Sequence, residues 1–173
     1  MHEEVRMSPD LFPHKDAVPA TPEAVMQLLL VEDNEDEALI TQAAFQRQRV
    51  PVRIDHVADG RTCLTYLRRE KPFERATLPD LVLLDLNMPG MDGRQVMATI
   101  ASDARLRYLP VIVLTTSSAP DDVLEMYRMR CNSYIVKPID LSRLEAIAAR
   151  IIDYWTGAST LPTRLVGDSG DNA

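Results

Sequence analysis

The sequence predicts an α/β fold, five strands alternating with five helices and pairing into one parallel, doubly wound sheet with right-handed crossovers. Short unbroken apolar runs such as Leu81–Leu84 are bounded by turn residues, which suits strands buried on both faces. Between these runs lie segments whose apolar residues recur at helical spacing, joined mostly by short connections. The strand ends also share a chemistry: they finish on acids, a threonine or a lysine.

The elements follow in order. Residues 25–31 form an apolar run broken only by Gln27, and the run ends on Glu32, Asp33 and Asn34. Asn34 can cap the next helix, with Glu37 three positions on to complete a capping box, and Ala38, Ile40, Ala43, Ala44 and Phe45 carry that helix to about residue 49. Val52, Ile54, His56 and Val57 make a second strand. Asp59 and Gly60 turn it into a helix over about 61–70, followed by a charged connection over 71–75.

The central strand stops at Asp85, and Asn87, Pro89, Gly90, Asp92 and Gly93 then favour a loop. A helix over 94–102 presents Val96, Met97 and Ile100 on one side. A strand over 110–114 ends on Thr115, and a helix over about 119–129 follows. The strand 133–136 ends at Lys137 and Pro138, and Asp140 or Ser142 starts a last helix reaching about Trp155. Three segments are therefore expected: a flexible arm over 1–24, a folded domain over 25–155 and a flexible tail over 156–173. Met7 and Met26 are alternative starts.

Composition excludes several classes of function. The chain has 173 residues, 46% hydrophobic and 26% charged, which supports one folded domain with some chain to spare. A net charge of -7 without a basic stripe opposes nucleic-acid binding. No apolar run approaches the roughly 20 residues that cross a bilayer, and the first 25 residues lack the apolar core of a secretory signal. A cytoplasmic protein is expected. Cys63 and Cys131 are too far apart for a redox pair and read as reduced structural thiols.

A parallel sheet brings Glu32, Asp33, Asp85, Thr115 and Lys137 to one edge, the edge where open α/β sheets bind ligands. Carboxylates gathered there repel one another unless a cation sits among them. Asp33, Asp85 and a backbone carbonyl are hard oxygen donors, which suit Mg²⁺ (or Mn²⁺) rather than zinc. A phosphoryl group at this edge would meet the metal, the Lys137 ammonium and the Thr115 hydroxyl, the equipment phosphoryl transfer needs, with Asp85 as acceptor nucleophile.

Over residues 27–155 the sequence resembles the receiver domain of two-component response regulators, the CheY-like type. The resemblance rests on Val31-Glu32-Asp33, the run from Asp85 to Gly93, Thr115 and Lys137-Pro138, with Thr115 30 positions after Asp85 and Lys137 22 after Thr115. It implies a flavodoxin-like (βα)5 sandwich of strand order 2-1-3-4-5. It further implies that Asp85 takes a phosphoryl group from a sensor histidine kinase, with Glu32, Asp33 and the Asn87 main-chain carbonyl serving Mg²⁺. Thr115 would be the switch hydroxyl, Lys137 the phosphate partner and Tyr134 the aromatic that turns inward. Glu32 stands where Asp is commoner.

No output domain is expected after Trp155, so the signal should leave through protein contacts. In the last helix Leu141, Leu144, Ala148, Ile151 and Trp155 make one apolar stripe, widened by Ile147 and Tyr154. Leu144, Ile147, Ile151, Tyr154 and Trp155 are the candidate homodimer face, against the alternative of a broad intramolecular face. The 114–118 stretch, the long connection over 71–78 and the Tyr154-Trp155 ending resemble single-domain regulators paired with bacterial phytochromes. That implies a bacteriophytochrome kinase as partner; a histidine phosphotransfer protein is a further possible one.

Two other outcomes keep the same chemistry: a phosphate sink without a target, or a phosphohydrolase of aspartyl-phosphate type. Such hydrolases carry a second Asp two residues after the nucleophile; here that residue is Asn87, an amide unable to move the proton. A signalling protein rather than an enzyme is expected. A flavin carrier on the same fold is disfavoured, because no phosphate-cradling loop follows the first strand.

Overall fold

The computed structural model describes residues 25–163. Strands β1 (Met26–Val31), β2 (Val52–Val57), β3 (Leu81–Leu84), β4 (Val111–Thr115) and β5 (Ser133–Val136) alternate with helices α1 (Glu35–Gln46), α2 (Gly60–Leu67), α3 (Gly93–Ser102), α4 (Pro120–Arg128) and α5 (Leu141–Asp153). All strands are parallel, in the order β2-β1-β3-β4-β5. The fold class is as the sequence predicts.

The central strands are apolar without a break because each buries both faces. Leu29, Val31, Val82, Leu84, Val111 and Val113 pack toward α2 and α3, whereas Leu28, Leu30, Leu81, Leu83, Ile112 and Leu114 pack toward α1 and α5. Successive side chains of a strand point to opposite faces, so each run fills two cores. Register is then fixed from both sides, because a slip of one residue would exchange the two sets.

Helix starts are mostly set by side-chain caps. Asn34 accepts from the N–H groups of Asp36 and Glu37, Asp59 from Thr62 and Asp140 from Ser142. The reciprocal box expected at Asn34 and Glu37 is not formed there; it closes instead at α3, between Asp92 and Gln95. Glu37 turns away from its helix start to bond Lys137.

Two expectations at the C-terminal side are corrected. The chain does not loosen at 156: α5 runs into a π-helical turn, Tyr154–Ala158, Leu161 is buried, and the Thr163 hydroxyl bonds the buried Asp80 carboxylate at the start of β3. Leu161 and the Thr163 bond to Asp80 tie this segment to the core. The arm over 1–24 and the rest of the tail, 164–173, lie outside the described residues. Leu144 and Ile151 of the candidate dimer face are also buried, against the sheet with Ala148 and Ile152, so they cannot meet a partner. Ile147 and Trp155 are half-buried, and Tyr154 alone of the five stands exposed. Leu141 too lies outside the inner stripe and is exposed.

Candidate functional site

The carboxyl ends of β1 and β3 are adjacent in the sheet, so the residues that follow them meet. Single oxygens of Glu32, Asp33 and Asp85 all lie within 4.8 Å of one another. Glu32 and Asp85 are buried, at 1% and 6% exposure, and Asp33 stands further out. Asp85 is oriented by its backbone: its N–H donates to Val31 O at 3.0 Å, and its Oδ1 accepts from the Leu86 N–H at 2.7 Å. The loop after it folds back tightly. A Cβ on Gly93 would fall 2.2 Å from the Asp85 carbonyl oxygen, so a side chain at 93 would push the acid's own backbone aside.

Lys137 arrives from the end of β5 and places its ammonium among these acids. It bonds Glu32 and, at 2.7 Å, Glu37, and lies 3.8 Å from Asp85 Oδ2. Burial alone would push the Lys137 pKa down, but the bonds to Glu32 and Glu37 and the charge of Asp85 outweigh it and leave the pKa raised. Burial likewise pushes the Glu32 carboxyl up, only partly offset by Lys137. The lysine is therefore a held positive charge, and a cluster of three acids retains a deficit of cations. The donor set of hard carboxylate oxygens fits a divalent ion of the Mg²⁺ or Mn²⁺ kind.

Thr115 closes β4, fully buried, and its Oγ1 accepts from the Ser117 N–H at 3.4 Å. Tyr134 lies half-buried on β5, packed against the α2–α3 side core, and its hydroxyl donates to Ser117 O at 3.0 Å. The aromatic is thus already turned inward in this structure. Asn87 sits on the exposed part of the loop.

The structure brings Glu32, Asp33, Asp85 and Lys137 into one cluster at the edge where Thr115 also ends, as their strand-end positions predict. Glu37 and Ser117 were missed. Glu37 sits at the third helical position, where the sequence suggests a capping box, but its carboxylate instead bonds Lys137. Ser117 carries no signal beyond lying two residues past Thr115. His56 reaches the site only through the backbone, its Nε2 2.8 Å from Glu32 O.

Residues 28–149 match the response regulator receiver domain family. The chain belongs to that family. Among curated relatives, the probable methanogenesis regulatory protein FilR2 of Methanothrix harundinacea is 41% identical over 135 residues, covering 78% of this chain and 86% of that one. Response regulator Rcp1 of Synechocystis sp. is 34% identical, covering 78% of this chain and 92% of that one. Among solved structures, the phosphorylated cyanobacterial phytochrome response regulator RcpA shares 42% identity at a TM-score of 0.76, covering 80% of this chain and 99% of RcpA. The Mn²⁺-bound form of Rcp1 shares 34% at 0.73, covering 79% of this chain and 99% of that one. The protein is therefore a receiver domain of the two-component type, similar to phytochrome response regulators. One of these neighbours was solved with Mn²⁺ bound, and in this chain Glu32, Asp33 and Asp85 are grouped closely enough to hold a metal ion.

Proposed function

We propose that Asp85 is the phosphoacceptor of a phosphorelay, loaded from the phosphohistidine of a sensor kinase and read through protein contacts in the cytoplasm. The meeting of Glu32, Asp33, Asp85 and Lys137 at one sheet edge is the observation that supports this reading. A bound Mg²⁺ would be held by Glu32, Asp33, Asp85 and the Asn87 main-chain carbonyl and would neutralise charge on the transferred oxygens.

The chain's own groups do the rest. Asp85 attacks phosphorus with a carboxylate oxygen as the P–N bond to the kinase histidine breaks and its imidazole leaves, while the Leu86 N–H fixes the plane of the carboxylate. Lys137 exchanges a carboxylate partner for a phosphoryl oxygen, and the Thr115 hydroxyl moves to a second one, drawing on its contact with Ser117. Tyr134, already inward on Ser117 O, keeps that contact. The protein promotes its own phosphorylation and dephosphorylation and is not otherwise an enzyme; Asn87 is an amide where a hydrolase needs a titratable acid to move the proton.

Leu39 and Ile40 of α1, the helix that follows Glu32 and Asp33, and Ile139, two residues past Lys137, are exposed apolar side chains, and a histidine-bearing helix of a kinase or phosphotransfer protein docks on this surface. The likeness to RcpA and Rcp1 favours a phytochrome-type kinase as donor. For homodimer formation, the exposed set is Leu124 and Tyr127 of α4, Val136 of β5 and Tyr154, rather than the buried stripe of α5.

The test is intact mass after incubation with acetyl phosphate. Wild type should gain one phosphoryl group only when Mg²⁺ is present, and Asp85→Asn should gain none; an adduct on Asp85→Asn would sink the assignment. A phosphorylated bacteriophytochrome should transfer to Asp85 faster than an unrelated kinase, and an earlier elution volume lost in Tyr127→Ala would mark the dimer.

A further inference from the structure

Ser117 has every polar atom engaged. Its N–H donates to the Thr115 hydroxyl at 3.4 Å, its carbonyl accepts from the Tyr134 hydroxyl at 3.0 Å, and its own hydroxyl donates to Asp122 Oδ2 at 2.5 Å. Asp122, in the first turn of α4, is gripped in turn from α3. Arg94 Nη2 donates to Asp122 Oδ1 at 2.5 Å, Arg94 Nε lies 3.3 Å from Glu125 Oε2, and Arg94 Nη1 lies 3.8 Å from Asp92. One guanidinium thus spans two carboxylates one turn apart on α4 while standing next to Gly93, whose N–H closes the Asp85 loop on Leu86 O at 3.0 Å.

The rest of α4 is thinly held. Its start has no side-chain cap, Met126 is its one buried residue, and Leu124 and Tyr127 face solvent. A helix with so little apolar anchoring takes its position from its polar ties.

We propose that Arg94 is a positioning residue that, through Asp122, sets where Ser117 stands and so transmits the state of the Thr115 hydroxyl to α4. The inference rests on the receiver reading of Asp85 and deepens it by naming what carries the signal outward. When the Thr115 hydroxyl moves toward a phosphoryl group, its contact with the Ser117 N–H is disturbed. With Asp122 clamped by Arg94, Ser117 cannot shift without α4. With Arg94 gone, the Asp122 carboxylate turns to water, Ser117 adjusts locally and α4 stays where it was.

The experiment is hydrogen exchange over residues 120–128 in full-length protein, with and without Mg²⁺ and acetyl phosphate, and intact mass read on the same samples. Wild type should show the adduct together with a changed α4 exchange rate. Arg94→Gln should keep the adduct and lose the α4 change, and Arg94→Lys, which can reach one carboxylate but not two, should restore part of it. Asp122→Asn offers one acceptor oxygen where Ser117 and Arg94 need two; it should lose the change as well, and it decides the matter if Arg94→Gln does not fold. A full α4 change in Arg94→Gln or in Asp122→Asn overturns the proposal, as does loss of the adduct in a folded Arg94→Gln. A wild type that takes up no phosphoryl group overturns the receiver reading itself, a different result from these.

Discussion

The centre of the sheet and its β4–α4–β5 margin are built in opposite ways. β1 and β3 lie with nearly every side chain buried and hold the acids rigidly at their ends. β5 has no fully buried residue, α4 has one, and the backbone N–H of Tyr134 is met by the hydroxyl of Tyr127. The clustered carboxylates thus sit on the most deeply buried strands, the part of the fold whose packing holds them closest together. The margin, with few buried side chains, is the part of the fold least anchored by the core. Thr115 is the join, buried like the centre yet bonded to the first loop of the margin.

The sharpest way to break this contrast is to cut into each region equally. Leu83→Ala, in the fully buried β3, should cost about 2–5 kcal/mol in chemical denaturation. If it cost no more than a surface change, the centre would not be the rigid frame described. Next in size is Lys137→Ala, which leaves the buried Glu32 without its cation and should cost about 1–3 kcal/mol without metal. Added Mg²⁺ should then raise the melting temperature of this variant more than that of wild type; an equal rise would mean that Lys137 and the metal do not share the same acids.

The margin answers to pH through Asp122. The bond from Ser117, and then that from Arg94, hold its carboxyl below the ordinary value of 3.8. A depressed carboxylate contributes stability that is complete above the unfolded value of 3.8 and is lost as the pH falls through the lower folded value. Carbon-13 NMR of the Asp122 carboxyl should therefore give a midpoint below 3.8, and a midpoint at or above it would mean the tie between α3 and α4 is absent in solution. The smallest effect is expected at Leu124→Ala, within about 0.5 kcal/mol of wild type, because the side chain already faces water.

Much of the centre was legible in the sequence because double burial leaves no polar position inside a strand, so β3 was read as Leu81–Leu84, the bounds it has. The site was legible for a related reason: parallel strands must deliver Glu32, Asp33, Asp85, Thr115 and Lys137 to one edge, whatever the loops do. The margin was less so. Glu37 and Ser117 act through side-chain geometry that spacing does not encode, and Glu37 fitted a capping role equally well. The last helix misled because Leu144 and Ile151 look like surplus apolar residues until the sheet beneath them is in place. Leu161 was unreadable for want of a periodic neighbour, although one buried leucine and the Thr163 bond to Asp80 hold that stretch in place.

The most direct test of the account is to locate the phosphoryl group. Protein loaded with acetyl phosphate and Mg²⁺, reduced with borohydride to convert the acyl phosphate to a stable alcohol, and mapped by peptide mass spectrometry should carry the change on Asp85 alone. A change on Asp33, on Asp92 or on no carboxylate at all would contradict it.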